Sequence, residues 1–207
     1  MPETKEIKPE GPVRGCVIAL HGRGVRGSDL APLAGAIGMP DVRWVFPDGP
    51  MEVPPLADGR AWYDSSDPNH EGLNASREII FGHIERLEKE GLPPERILLA
   101  GFSQGAVVSL DAGLRYPRRL AGLIGMSGYL AHPDRLEEEM SPAASALPVL
   151  LTHGKNDEVL SVEGSREAQA VLKTLGFSVE LREYLMGHEV IQEVLEEVRK
   201  FMVRVFD

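Results

Sequence analysis

The pentapeptide Gly101-Phe102-Ser103-Gln104-Gly105 constrains this chain more than any other stretch. It follows the apolar run Ile97-Leu98-Leu99-Ala100 and precedes a segment from Ala106 to Tyr116 that is apolar nearly all round, through Val107, Val108, Leu110, Ala112 and Leu114. Strand, sharp turn and buried helix is the reading this order supports. A serine between two glycines in that setting is a nucleophile turn. Its backbone is strained, the glycines let strand and helix approach, and the hydroxyl stands at the top edge of a sheet. In a chain with 22 Gly the pentapeptide can also arise by chance, so its weight comes from the residues downstream of it.

A serine hydroxyl is a poor nucleophile near neutral pH and needs a base that is itself oriented by a third group. Pro148 to Thr152 reads as a buried strand and runs into His153-Gly154-Lys155-Asn156-Asp157, a loop that can present a carboxylate. Asp157 is the candidate orienter, with Glu158 beside it as the substitute. Val179 to Leu185 reads as a strand that empties into Met186-Gly187-His188 just before the last helix, which makes His188 the candidate base. Ser103, Asp157, His188 is the chain order of an α/β-hydrolase. His153 is the serious rival, but it precedes Asp157 and breaks that order. His21 comes too early, His83 lies on a helix face, and His70 and His132 sit in polar loops. The plainer readings are a helix-capping serine at 103 and a turn aspartate at 157.

Acyl transfer also needs donors aimed at the oxygen on which charge develops. One is expected from the N–H of the residue after the nucleophile, Gln104. The other is expected from a loop after an early strand, where Val13 to Leu20 runs into His21-Gly22-Arg23-Gly24 and Arg23 holds the place.

Residues 1–12 are polar and Pro-rich, and are expected to form a flexible start to a single domain over 13–207. Ser28 and Asp29 offer caps for a helix through Ala36, and Val42 to Phe46 reads as a strand. From Pro47 to Gly72 the composition shifts to Pro, Gly, Asp and Asn around Trp62 and Tyr63, which reads as a substrate-facing loop. Asn74 is placed to cap a helix to Glu90. A strand over Leu120 to Met126, a short acidic helix around Glu137 to Glu139, and amphipathic helices over Val162 to Leu175 and Glu189 to Phe206 complete the pattern. Alternating strands and helices imply a mostly parallel central sheet with helices on both faces.

With 43% hydrophobic and 26% charged residues the chain has an ordinary globular balance. Its single Cys16 lies in the first apolar run and is expected to be a buried, inert thiol. A net charge of -10 disfavours nucleic acid and anionic membranes, and no run of 18 apolar residues is present. A cytoplasmic protein acting on small neutral substrates without stable membrane association is the expectation. Neither H-E-x-x-H nor a phosphate-binding G-x-x-x-x-G-K-[ST] occurs, so no cofactor or metal is expected.

Leu20-His21-Gly22, Trp62-Tyr63-Asp64, Gly101 to Gly105, Ser127-Gly128-Tyr129, His153-Gly154 with Asp157, and Gly187-His188 together resemble the phospholipase/carboxylesterase family from about Val13 onward. The resemblance implies an α/β-hydrolase fold without a cap domain, and an ester or thioester hydrolase with an acyl groove beside the Trp62 loop and a tendency to form homodimers. By motif position it implies Ser103, Asp157 and His188 as triad and Arg23 and Gln104 as oxyanion donors. It departs from the family at Arg23, where members often carry Leu, and at Val25, where they often carry Asp. The backbone donor survives that change, while a guanidinium at the pocket mouth points toward acidic or strongly polar substrates. A carboxylesterase of broad specificity, acting on short to medium acyl chains, is the resulting expectation. An acyl-thioester or lysophospholipid hydrolase shares the machinery, a dienelactone-type hydrolase would carry Cys at the nucleophile, and a non-catalytic binding module could use the same fold.

Overall fold

The computed structural model describes residues 3–56, 58–145 and 147–207. The strands are Thr4–Ile7 (β1), Gly15–Leu20 (β2), Val42–Pro47 (β3), Met51–Glu52 (β4), Arg60–Ala61 (β5), Ile97–Phe102 (β6), Gly122–Met126 (β7), Pro148–Gly154 (β8) and Ser178–Tyr184 (β9). The α-helices are Ala31–Ile37 (α1), Leu73–Lys89 (α2), Gln104–Arg115 (α3), Leu136–Glu139 (α4), Val162–Thr174 (α5) and Gln192–Phe206 (α6). Seven strands form one sheet in the order β1-β3-β2-β6-β7-β8-β9. Only β1 runs antiparallel in it, while β4 and β5 make a separate antiparallel pair.

Side chains of a strand alternate between the faces, so strands buried on both sides read as continuous apolar runs. Ile18, Leu20, Leu99, Leu123, Val149 and Leu151 pack into the layer that holds Ile80 and Ile84 of α2, Val107 and Leu110 of α3 and Leu172 of α5. Their neighbours Val17, Leu98, Ala100, Ile124 and Leu150 join Ala34 and Ile37 of α1 and Val194, Val198, Phe201 and Met202 of α6. Each large side chain fully buried this way contributes about 1.5–3 kcal/mol of transfer free energy. Parallel strands point their C-terminal ends the same way, so the loops after β2, β6, β8 and β9 meet at one edge. They do so without a cap domain among the described residues.

The expected flexible start over residues 1–12 is corrected for Thr4–Ile7, which pair with β3 in the register Ile7↔Trp44. The cause is a buried charge. Arg43 sits in β3 at 7% exposure, and an enclosed guanidinium left without a partner is strongly destabilising. Glu6 supplies one partner at 2.6 Å and Glu90 another, while Arg86 reaches Glu6 as well. Residues 1 and 2 lie outside the described residues.

Other departures follow local backbone chemistry. Gly72, at φ 92°, precedes α2 in place of Asn74, whose side-chain oxygen accepts from Arg77 instead. The segment from Ser28 opens as a tight turn over Gly27–Leu30 before α1, which ends at Gly38 with φ 69°. Within Pro47 to Gly72 the β4–β5 pair gives the expected open loop a hairpin of its own. Cys16 is enclosed, and burial pushes its thiol up to about 12.

Burial alone would raise the Glu6 carboxyl, but Arg43 and Arg86 outweigh it and hold the group below its ordinary 4.5. A lowered acid contributes stability above its unfolded value and loses it as the pH falls through the folded one. Glu6→Gln is therefore expected to lower the unfolding free energy by about 1 kcal/mol at pH 7. In urea titrations the gap from wild type should close as the pH drops below the ordinary glutamate range.

Candidate active site

Ser103 links β6 to α3 with φ 56° and ψ −121°, a conformation that L-residues with a side chain rarely adopt and that costs about 1–3 kcal/mol. Glycines on either side impose it. A Cβ on Gly101 would stand 2.1 Å from the Gly105 carbonyl oxygen, and one on Gly105 would stand 2.2 Å from that of Leu20. The turn is fixed by Ser103 N–H donating to Met126 O at 2.9 Å and by Ala106 N–H donating to Ser103 O at 2.9 Å.

The structure brings Ser103, Asp157 and His188 together. His188 Nε2 lies 2.9 Å from Ser103 Oγ, and His188 Nδ1 lies 2.7 Å from Asp157 Oδ2. Phe102 packs against the imidazole with ring centroids 4.7 Å apart. Asp157 is delivered by the loop after β8, and its Oδ1 accepts the N–H groups of Val159 and Leu160, each at 2.9 Å. Burial would raise this carboxyl, but the Leu160 N–H, His188 and the Val159 N–H together hold it below the ordinary aspartate value. An ionised Asp157 can only accept, so Nδ1 carries the imidazole proton and Nε2 is left to accept from the serine hydroxyl. The acid and base loops meet through Gly154, where a Cβ would stand 2.3 Å from Met186 O. Asn156 N–H also donates to Met186 O there at 3.1 Å.

The loop after β2 lies against the nucleophile, since a Cβ on Gly22 would come 3.4 Å from Ser103 Cβ. His21 shapes that loop from beneath. It is wholly enclosed, its Nδ1–H donates to Gly22 O at 2.7 Å, and its Nε2 accepts from Gly49 N–H at 2.9 Å. Burial holds its imidazole below the ordinary histidine value, as the neutral donor-and-acceptor role requires. Arg23 comes next, on the exposed side of the turn. Among the described residues its backbone N–H donates to no carbonyl, and the N–H of Gln104, first in α3, has no partner within the helix. The Gln104 amide follows Ser103 directly, and the Arg23 amide follows Gly22, which approaches Ser103.

Trp62 and Tyr63, expected to face substrate, are corrected. They are 0% and 2% exposed and serve as a plug beneath the site. Trp62 Nε1–H donates to His21 O at 2.9 Å, its backbone N–H donates to Gln104 Oε1 at 2.8 Å, and Gln104 Nε2–H donates to Tyr63 O at 2.7 Å. The Gln104 side chain is thereby committed to holding this loop. Exposed apolar side chains on the neighbouring loops are Val25, Leu56, Val159 and Leu185, at 42, 53, 68 and 84%. Leu56 reaches Gly24, Val159 lies two residues after Asp157, and Leu185 precedes the His188 turn. Alternation and periodicity find core residues, and an apolar residue on a loop carries no such signal.

His153 is enclosed behind Asp157 and does not touch Ser103. Among the described residues no three His, Cys, Asp or Glu side chains are grouped to hold a metal, and no helix is long and apolar enough to cross a membrane.

The family model described as phospholipase/carboxylesterase matches residues 3–205. A probable carboxylesterase of Oryza sativa subsp. japonica is 30% identical over 91% of this chain and 77% of its own length. An acyl-protein thioesterase 1 of Schizosaccharomyces pombe is 34% identical over 82% of this chain and 80% of its own. The crystal structure of esterase PE8 superposes with a TM-score of 0.90 at 31% identity, covering 99% of each chain.

The close approach at the nucleophile turn gives a direct test. Gly105→Ala is expected to destabilise the protein by about 3 kcal/mol, because the new methyl meets main chain that cannot rotate away. Urea denaturation of the purified variant measures it.

Proposed function

As this chain belongs to the phospholipase/carboxylesterase family, a group of ester and thioester hydrolases, we propose that it hydrolyses carboxylic esters of short to medium acyl chain through a Ser103–His188–Asp157 triad. The observation that carries this reading is the unbroken chain of hydrogen bonds from Asp157 Oδ2 through His188 to Ser103 Oγ, at 2.7 and 2.9 Å. Nε2 takes the proton as Oγ attacks the acyl carbon, and the Asp157 charge stabilises the imidazolium that forms. The N–H groups of Arg23 and Gln104 receive the oxyanion, each such donor being worth about 3–4 kcal/mol in the transition state. His188 then protonates the departing alcohol. Water, deprotonated by the same nitrogen, releases the acid and restores Ser103.

Thioester hydrolysis by the same groups is the second reading. The Schizosaccharomyces pombe relative, named as a thioesterase, favours it, and so does the apolar rim of Val25, Leu56, Val159 and Leu185, which suits a longer acyl chain. The Arg23 side chain adds a selectivity of its own. It is exposed, and its charge helps Ser66 hold the Asp64 carboxyl down. An acidic or strongly polar group on the substrate would compete with Asp64 for it.

Hydrolysis of p-nitrophenyl esters from acetate to palmitate, with Ser103→Ala as control, tests the reading. A short-chain maximum that vanishes in the variant is the expected outcome. Turnover that survives in Ser103→Ala overturns the nucleophile, and a higher kcat/KM on matched thioesters than on oxygen esters moves the assignment to the second reading. Asp157→Asn should lower kcat by about 10³–10⁴-fold by presenting the wrong imidazole tautomer. Arg23→Leu should cut the rate on anionic esters relative to neutral ones, and an unchanged ratio removes the side chain from specificity.

A further inference from the structure

His153 is a second imidazole behind the triad, with no part in the proton transfers between His188 and Ser103. Its ring is wholly enclosed. Nε2 lies 2.9 Å from Leu160 O and 3.3 Å from Asp157 Oδ2, the same oxygen that accepts from His188. Both neighbours of Nε2 can only accept, so Nε2 carries a proton, donates it to Leu160 O and leaves Asp157 Oδ2 as a close polar contact. Leu160 is also the residue whose N–H donates to Asp157 Oδ1. The ring therefore holds the carbonyl of Leu160 by a hydrogen bond and lies against Asp157 Oδ2, while the Leu160 amide holds Oδ1. The turn carrying the acid is gripped on both of its polar sides.

The far side of the ring leads toward the nucleophile. His153 Nδ1 lies 2.7 Å from Ser165 Oγ in α5, which lies 2.9 Å from Gly128 O; the single hydroxyl proton goes to one of these two acceptors, and the other is held by contact alone. Gly128 in turn abuts α3 at its start, since a Cβ there would stand 2.5 Å from Ala106 Cβ and 3.5 Å from Ser103 O. The acid loop and the nucleophile turn are thus referenced to one another through His153 and Ser165, by a route separate from His188.

The geometry assigns His153 as a positioning residue for the proposed ester hydrolysis. It holds Asp157 Oδ2 on the axis of His188 Nδ1 by bracing the Asp157–Leu160 turn against Ser165 and the Gly128 backbone. The assignment rests on the triad reading. Its chemical content is that an N–H donor is needed at this ring position, whereas mere filling of the space is not enough. Misplacement of a reacting group by about 1 Å can cost 10²-fold in rate, so loss of the brace belongs in that range.

The test compares His153→Leu, which keeps volume without a donor, His153→Gln, which restores an N–H donor, and Ser165→Ala, which cuts the far anchor and changes little volume. Expected are a fall in kcat of about 10–100-fold for the Leu variant with KM within about twofold, a smaller fall for Ser165→Ala, and partial recovery in the Gln variant. In proton NMR of the substrate-free enzyme, the downfield His188 Nδ1–H resonance should shift or broaden in the Leu variant and return toward its wild-type position with Gln. A kcat unchanged in both the Leu and Ser165→Ala variants overturns the assignment, as does a Gln variant no better than Leu. Should wild type show no Ser103-dependent turnover, the esterase reading fails. The His188 resonance needs no substrate, and its indifference to His153 would overturn the positioning role separately.

Discussion

The arrangement depends on a contact between main chains in which no side chain takes part. Gly105 at the start of α3 lies directly against the carbonyls of Leu20 and His21 at the end of β2, too close for any Cβ. That approach lets the helix begin immediately above its strand and forces Ser103 into positive φ. It also brings the loop after β2 alongside the hydroxyl. The strain is offset locally by the bond from Ser103 N–H to Met126 O and by the helix amides that close on Ser103 O. A hydroxyl held this way loses little entropy on reaction, because the backbone has already fixed where Oγ stands.

Around this contact the enclosed polar groups gather at one edge of the sheet. His21, Gln104, His153 and Ser165 are all buried, and each joins two loops that the strands alone would leave independent. A polar group taken out of water without a partner costs about 1–3 kcal/mol, so each of these side chains fixes its loops to a narrow set of positions. The opposite end of the molecule is secured differently, through the Glu6, Arg43, Arg86 and Glu90 cluster that pins the edge strand. There the charges stabilise the sheet and stand apart from the chemistry.

Much of this was legible in the residues. Continuous apolar runs gave the parallel strands, the two glycines about Ser103 gave the turn, and the order of Ser103, Asp157 and His188 placed three distant residues at one edge. The misreadings have physical causes. Trp62 and Tyr63 sit among prolines and glycines, and composition alone does not say whether an aromatic in such a loop faces out or plugs the floor beneath it. The decision rests on partners far away in sequence, His21 and Gln104. Thr4–Ile7 is polar by pattern, and what orders it is the antiparallel ladder to β3 together with the Glu6–Arg43 pair, both of which show only once the strands lie side by side. His153 broke the expected residue order and so was set aside, yet the position that disqualifies it as the base, four residues before Asp157, is what places it behind the acid.

His188 and Ser103 stand 85 residues apart, at the ends of strands separated by two others, β7 and β8. No local segment can assemble the pair. Parallel pairings of this kind close long loops before they gain contacts, so they are intrinsically slow to form. A chain with only its first half ordered has the strained serine without His188, and one with only its second half has Asp157 and His188 without Ser103. The hydrogen-bonded chain at Ser103 is therefore a reporter of completed topology.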